Sequence, residues 1–166
     1  MNEERTPVRD FKDLRVWHAA KDLADAVYDA TEEFPKREIY GLTSQVRRAA
    51  VSVPSNIAEG YARKHRSEYL QFLSIAQASL AEIETQVELS RRRRFIEGGI
   101  ASALNDRILS TSRQLRALRE AIARASAVTI AEDEPPYGAD ACEPAIPDDH
   151  FINPPEPRAP GPEPQQ

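Results

Sequence analysis

Cysteine is nearly absent from this sequence of 166 residues, since Cys142 is the only one. A disulfide within the chain is therefore excluded, and Cys142 has no second ligand at a metal-binding spacing. The histidines, His18, His65 and His150, are far apart and form no zinc motif. The six glycines include no phosphate-binding loop. We therefore predict neither a metal site nor a cofactor.

Long apolar segments are also missing. No uninterrupted stretch approaches roughly 18 apolar residues, the length of a membrane-spanning helix, and the first four residues are polar rather than typical of a signal peptide. We expect a cytoplasmic protein without a membrane partner. A nucleophile at Ser52 or Ser55, with Glu59 as its base, has no histidine on the same predicted helix, so we expect no catalytic residues and no enzymatic activity.

Charge and proline are unevenly distributed along the chain. Residues 1–126 hold 21 Lys and Arg against 18 Asp and Glu, whereas residues 127–166 hold one Arg against nine acids. The balances of +3 and −8 add to the net charge of −5. Ten of the thirteen prolines follow residue 134. We predict an N-terminal arm (1–12), a folded domain (13–126) and a disordered, acidic, proline-rich tail (127–166).

Four segments before the tail have apolar residues at every third or fourth position, which is typical of amphipathic helices. The predicted helices run over Asp13–Glu33, Tyr40–Arg63 and Ser67–Phe95, with a fourth after a chain break at Gly98-Gly99. Because the connections are short, neighbouring helices should run antiparallel. The sequence thus predicts an all-α, up-down-up-down four-helix bundle.

The second predicted helix contains Pro54, although an internal proline destabilises an unsupported helix by about 3 kcal/mol. The apolar face continues on both sides of Pro54, so we expect tertiary contacts to offset this penalty. Gly60 lies on the same face. It either lets a neighbouring helix approach closely or marks a weak helix end.

Two other faces of this helix have distinct predicted roles. Polar residues one turn apart are expected to form a structural hydrogen-bond network: Arg48, Ser52, Asn56 and Glu59. A small, semi-apolar flank is a candidate oligomer interface: Arg47, Val51, Pro54 and Ala58. The residues alone leave the symmetry of such an oligomer open.

Clusters of basic residues are candidates for contacting nucleic-acid phosphates. The candidates are Arg63, Lys64, Arg66, Arg91, Arg92, Arg93, Arg94, Arg113, Arg116 and Arg119. An alternative is that the cations at 91–94 only complement a helix dipole, and that those of the fourth helix form a solvated face. Because no aromatic residues alternate with these arginines, we expect backbone contact of low sequence selectivity rather than base stacking.

Several motifs give the chain a family resemblance. They are Phe11–Leu14 with Trp17, Phe34-Pro35, Tyr40–Gln45, Arg47-Arg48-Ala49 with Ser52, Asn56–Gly60 with Arg63, Phe72–Ala76 and Glu82–Gln86. The sequence resembles the four-helix-bundle proteins encoded in intervening sequences of 23S ribosomal RNA genes. Relatives of these proteins include the accessory variability protein of diversity-generating retroelements. The resemblance implies a four-helix bundle and a pentameric ring.

Two functions remain open from the sequence. In the first, a non-enzymatic homo-oligomer, a pentamer if the resemblance holds, binds RNA or DNA through basic surfaces and serves as an accessory to a reverse transcriptase. In the second, the bundle is an interaction scaffold whose acidic tail recruits a partner or inhibits nucleic-acid binding.

Overall fold

Four α-helices make up the part of the chain that the structure, a computed structural model, describes, namely residues 8–132 with side chains up to residue 124. The helices are α1 (Arg15–Ala30), α2 (Leu42–Tyr61), α3 (Arg66–Arg92) and α4 (Gly98–Glu132), and single 3-10 turns at Phe11–Asp13 and Lys36–Glu38 precede α1 and α2. No strand occurs in the described range. The predicted all-α architecture is confirmed. Most of the predicted arm and tail lies outside these residues.

The helices form a square in which α2 and α4 each contact both α1 and α3. Adjacent helices run antiparallel: Ser52 of α2 meets Ser79 of α3, and Gly60 further along α2 meets Tyr69 earlier in α3. The up-down-up-down topology is therefore confirmed. It places the end of α1, the start of α2, the end of α3 and the start of α4 at one end of the bundle.

The core is one continuous apolar cluster fed by all four helices. Its largest members with almost no exposed surface are Leu23, Ile57, Leu73, Leu80, Ile83 and Leu115. These side chains occupy the recurring apolar positions of the sequence. Burial of each stabilises the fold by about 1.5 to 3 kcal/mol relative to exposure.

Helix α2 continues through Pro54, as predicted. Two side chains in the next turn donate hydrogen bonds to carbonyls near the proline, Ser55 Oγ to Val51 O at 2.8 Å and Asn56 Nδ2 to Ser52 O at 2.7 Å. Burial of the apolar face on both sides holds the segment against α1 and α3. This packing against α1 and α3 is the tertiary support that the sequence requires.

Gly60 is a point of close contact between α2 and α3. A Cβ atom built at Gly60 would lie 2.8 Å from Cδ2 of Tyr69 and 2.9 Å from Cβ of Phe72, closer than packed atoms allow. Glycine is therefore required for helix approach. Of the two interpretations of Gly60, the structure supports this one.

The helix ends differ from the predicted ends for identifiable reasons. Asp13 does not cap α1, because it forms a capping box with Asp10 around the preceding 3-10 turn. At the other end of α1, Thr31 Oγ1 donates to Val27 O at 2.8 Å, one residue beyond the last helical position. Helix α4 reaches Glu132, past the predicted domain boundary at residue 126.

The glycine pair at 98 and 99 does not break the chain as predicted. Gly98 and Gly99 are the first two residues of α4. The chain reverses before them, and the one described non-glycine residue with positive φ, Arg94 at 58°, lies in that reversal.

Candidate nucleic-acid interface

Helix α3 ends in a Schellman motif whose left-handed residue is an arginine. The amide of Phe95 donates to Ser90 O at 2.9 Å, and the amide of Arg94 donates to Arg91 O at 3.0 Å. Arg93 is the C-cap, and Arg94 occupies the next position, where glycine is usual. An L-residue in this conformation is destabilised by about 1 to 2 kcal/mol.

Two of the four consecutive arginines share one carboxylate within the helix. Glu88 accepts from Arg91 Nε at 2.8 Å and from Arg92 Nε at 2.7 Å. Hydrogen bonds from Arg91 and then from Arg92 lower the pKa of Glu88 to about 2, and the same contacts raise the pKa of Arg91. The paired side chains are 40 to 70% exposed, so salt screens these pairs.

Arg93 and Arg94 do not take part in this pairing with Glu88. Both are exposed, and within residues 8–132 neither side chain makes an ion pair or a hydrogen bond. Their guanidinium groups are therefore available to a ligand. They project from a turn, beyond the helix whose dipole the other two arginines complement.

The connection between α1 and α2 adds cations to the same end of the bundle. The rings of Phe34 and Phe95 lie 5.6 Å apart, which brings this connection against the α3–α4 turn. Lys36 and Arg37, which follow Phe34, are exposed. We refer to this end of the bundle, formed by residues 31–41 and 88–97, as the arginine end.

Acids at the arginine end nearly balance its cations. The cations are Lys36, Arg37, Arg91, Arg92, Arg93 and Arg94, and the acids are Glu32, Glu33, Glu38, Glu88 and Glu97. Six positive and five negative charges leave +1. Two of the acids are engaged, since Glu88 holds two arginines and Glu38 Oε2 accepts from the first amide of α2 at 3.3 Å. The field of this end is therefore weak, and its free guanidinium groups are local features.

The basic candidates Arg63, Lys64 and Arg66 lie at the opposite end of the bundle, about 40 Å away by the length of α3. Arg63 pairs with Glu59, and its guanidinium carbon lies 4.5 Å from the ring centroid of Phe72. Lys64 and Arg66 are exposed. The structure thus separates this cluster from the arginine end, as the predicted topology requires.

The arginines of α4 do not form a uniform stripe. Arg113 and Arg116 are exposed, whereas Arg119 is half-buried, and its Nε is buried without a hydrogen-bond partner in the described residues. Only the first two face solvent freely. They match Arg93 and Arg94 in number and exposure, and they lie on a different part of the bundle.

The polar network of α2 is smaller than predicted and reaches into α3. Ser52 Oγ lies 2.9 Å from Ser79 Oγ, and Asn56 Nδ2 donates to Ser52 Oγ at 2.9 Å. Arg48 is exposed and makes no hydrogen bond to this group, and Glu59 pairs with the residue one turn ahead. The network therefore joins two helices, and Ser79 is the member that the sequence did not indicate.

Arg47 is used inside the chain, at the junction of α1 and α2. Its Nε donates to Thr31 Oγ1 at 2.7 Å, and its guanidinium carbon lies 4.8 Å from the ring centroid of Tyr28. A cation over an aromatic face gains about 0.5 to 1 kcal/mol at an exposed site. Arg47, predicted as part of an oligomer interface, thus uses its side chain for contacts within its own bundle.

The remaining interface candidates form a partly open flank on α2. Val51 is 44% exposed, and Pro54 and Ala58 are half-buried. A groove of about 970 Å³ lies next to Val51, between α2, the end of α1 and Glu82 of α3. The flank and the groove are thus adjacent parts of one partly open surface of α2.

Tyr40 is a candidate residue that sequence reasoning missed. It lies between the 3-10 turn and α2, and 96% of its surface is exposed. The sequence predicted Tyr40 as the first residue of a helix, which gave no reason to expect a free ring. Tyr40 lies two residues before the first residue of α2, so its side chain belongs to no helix face. Recognising that the helix begins after Tyr40 would have indicated its exposure.

Among residues 8–124, whose side chains the structure describes, no three His, Cys, Asp or Glu are grouped so that they could hold a metal ion. None of the helices in this range is long and apolar enough to cross a membrane. The described residues thus offer basic and aromatic groups rather than a ligand cage.

The architecture defines the class of the protein as an antiparallel four-helix bundle with a proline inside its second helix. Residues 12–117 match the family described as 23S rRNA-intervening sequence protein, and the chain belongs to this family. A crystal structure of a protein with unknown function from the S23 ribosomal protein family of Bacteroides thetaiotaomicron is similar, with a TM-score of 0.57 and 20% identity. The match covers 63% of this chain and 97% of that one and concerns the fold. No curated protein sequence matches the chain.

Proposed function

We propose that this protein is a non-enzymatic, homo-oligomeric four-helix bundle that binds RNA or DNA, with phosphate contacts from its arginine end. The observation that carries the proposal is the pair Arg93 and Arg94, exposed and without partners among residues 8–132. Guanidinium groups pair bidentately with phosphate oxygens and release condensed counterions.

The position of Arg94 supports this assignment. A glycine at φ 58° would avoid the conformational penalty, so the arginine is not explained by helix termination. Residues in costly backbone conformations are concentrated at functional sites. A phosphate contact gives the arginine side chain a role that glycine cannot replace.

Self-association would multiply this contact. One chain offers only +1 at the arginine end, so a single copy should bind weakly. Copies joined through the α2 flank would bring several pairs of arginines to one ligand, and binding would then add by multivalency. The family resemblance favours a pentamer, and also a reverse transcriptase as the partner to which the nucleic acid is presented.

Fluorescence polarisation with a labelled, structured RNA tests the proposal. Affinity should fall steeply between about 50 and 200 mM salt. Replacing Arg93 and Arg94 by glutamine should lower the slope of log K against log salt by roughly 1.4 to 1.8, the share of two phosphates. The matched control replaces Arg113 and Arg116, which removes the same charge elsewhere on the bundle.

If the Arg93/Arg94 and Arg113/Arg116 double variants lose the same RNA affinity, only net charge matters, and the arginine end is rejected as the interface. Absence of binding at low salt would reject the function altogether. Light scattering on the same samples tests assembly, since a pentamer of 18.6 kDa chains has a mass of about 93 kDa.

The charge of residues 127–166 favours a second candidate, a scaffold that recruits a protein partner. These residues carry −8 and ten prolines. Truncation after Glu132 leaves α4 whole. Unchanged RNA binding together with loss of a specific protein partner would support the scaffold, whereas retention of every partner would exclude it.

A further inference from the structure

Tyr40 differs from every other aromatic residue that the structure describes. The eight others each contact a ring or a cation: Phe11, Trp17, Tyr28, Phe34, Tyr61, Tyr69, Phe72 and Phe95. Tyr40 makes no such contact within residues 8–132 and is 96% exposed. Its ring therefore contributes almost nothing to the stability of the isolated chain, and both of its faces are open.

The register of α2 and α3 places this ring at the arginine end. The hydrogen bond between Ser52 and Ser79 fixes two antiparallel positions at the same height. Helix α2 begins at Leu42, ten residues before Ser52, and Leu89 lies ten residues after Ser79, so the start of α2 and the end of α3 are at about the same height. Tyr40, two residues before α2, therefore lies at the end of the bundle where Arg93 and Arg94 follow α3.

The connection between α1 and α2, which contains Tyr40, also contains exposed cations. Lys36 and Arg37 precede Tyr40 by four and three residues, and both are exposed. The Phe34–Phe95 contact holds this connection against the turn that carries Arg94. An open aromatic ring thus lies at the same end of the bundle as two short groups of exposed cations.

We infer that the nucleic acid taken by this protein is single-stranded, or unpaired where it is bound, with one base stacked on Tyr40. This inference rests on the proposed function. Arg93 and Arg94 would contact phosphates on one side of the stacked base, and Lys36 and Arg37 would contact phosphates on the other. In a duplex the base faces are already stacked on each other and are not available to the ring.

The weak charge of the arginine end supports this choice of ligand. A surface of +1 gives little general attraction for a duplex, whose binding without base contacts depends on many phosphate contacts. Stacking is insensitive to base identity and is worth roughly 1 to 3 kcal/mol per base, or about 5- to 150-fold in affinity. This inference differs from the sequence-based expectation of backbone contact without base stacking, and the experiment below decides between them.

The test compares Tyr40→Ala and Tyr40→Phe with the unaltered protein, using a labelled 20-nucleotide oligothymidylate and a 20-base-pair DNA duplex. Tyr40→Ala should weaken binding to the single strand by about 5- to 150-fold and leave duplex binding unchanged. Tyr40→Phe should retain at least about half of the wild-type affinity, because stacking needs the ring and not the hydroxyl. The exposed position should keep the melting temperature of both variants unchanged.

The other outcomes separate this inference from the proposed function. If Arg93→Gln with Arg94→Gln weakens binding while Tyr40→Ala does not, the function stands and stacking is rejected. If Tyr40→Ala reduces the oligomer mass in light scattering and weakens both ligands equally, Tyr40 is a contact between copies and stacking is again rejected. If the unaltered protein binds neither ligand at low salt, both proposals fail.

Discussion

Replacing Arg94 by glycine should stabilise the fold and weaken nucleic-acid binding at the same time. Arg94 has φ 58° in the turn that ends α3. This conformation is unfavourable for any residue with a Cβ atom and is readily adopted by glycine. The same substitution removes one of the two unpartnered guanidinium groups of the arginine end.

The expected gain follows from two opposing terms. Relief of the left-handed conformation should increase the free energy of unfolding by about 1 to 2 kcal/mol. The greater freedom of glycine in the unfolded chain should decrease it by about 0.5 to 1 kcal/mol. The net gain in free energy of unfolding is about 0.5 to 1 kcal/mol. For a folded domain of this size, the melting temperature should rise by about 2 to 4 °C.

Arg93→Gly is the matched control. Arg93 has φ −76° and ψ −6°, a right-handed conformation in which glycine has no conformational advantage. This variant should be destabilised by about 0.5 to 1 kcal/mol. Because each variant loses one arginine, both should lose similar affinity for a single strand.

Thermal melts at a fixed protein concentration, together with polarisation titrations, measure both effects. Melting temperatures that move in opposite directions for the two variants would support the argument. A fall in the melting temperature of Arg94→Gly would refute it, because the arginine would then be stabilising the turn. Unchanged RNA affinity in both variants would refute the phosphate contact and leave the conformational argument intact.

Three other substitutions test separate features of the bundle. In a denaturant titration, Gly60→Ala should lower the free energy of unfolding by about 1 to 3 kcal/mol, because a new Cβ would lie 2.8 Å from the ring of Tyr69. The control Gly99→Ala should be neutral or slightly stabilising, because the space around its Cβ is open. Glu88→Gln releases Arg91 and Arg92, so nucleic-acid affinity and its salt dependence should increase. Because the folded pKa of Glu88 is lowered to about 2 from 4.5, the stabilisation that the variant loses should be measurable above about pH 4.5 and should disappear as the pH falls towards 2. Tyr69→Phe should raise the free energy of unfolding by about 1 kcal/mol, since its hydroxyl is buried without a partner among the described residues. Burial raises the pKa of Tyr69 to about 12 from 10.0, so wild type should lose stability as the pH rises above 10, and an unchanged alkaline unfolding curve in the variant would contradict this assignment.

The helices could be predicted from the sequence because their signals are local. Apolar residues at three- and four-residue spacing, Phe34-Pro35 after α1 and the short connections were sufficient for the fold class and topology. The misplaced break has an equally local cause. Gly98-Gly99 is a stronger breaker signal than Arg94, and nothing in the sequence marks an arginine that will adopt a left-handed conformation.

The contacts of the candidate site could not be predicted because they depend on register between helices. Ser52 and Asn56 were recognised as polar neighbours on α2, but their partner Ser79 is defined only when α3 is aligned beside it. Likewise, the sequence showed four arginines in a row and not the single carboxylate of Glu88 that holds two of them. Tyr40 was assigned to a helix, so its exposure was missed.

Two residues at the arginine end break rules that the rest of the bundle follows. Arg94 has a positive φ without being glycine, and Tyr40 leaves an aromatic ring in solvent although every other described aromatic ring contacts a second ring or a cation. Each exception weakens the isolated chain or leaves it no more stable, and both lie at the arginine end. Local exceptions of this kind that occur together mark a place where a requirement other than folding acts. A guanidinium group for phosphate and an open ring for a base are complementary requirements of a single ligand, and a strand with unpaired bases meets both.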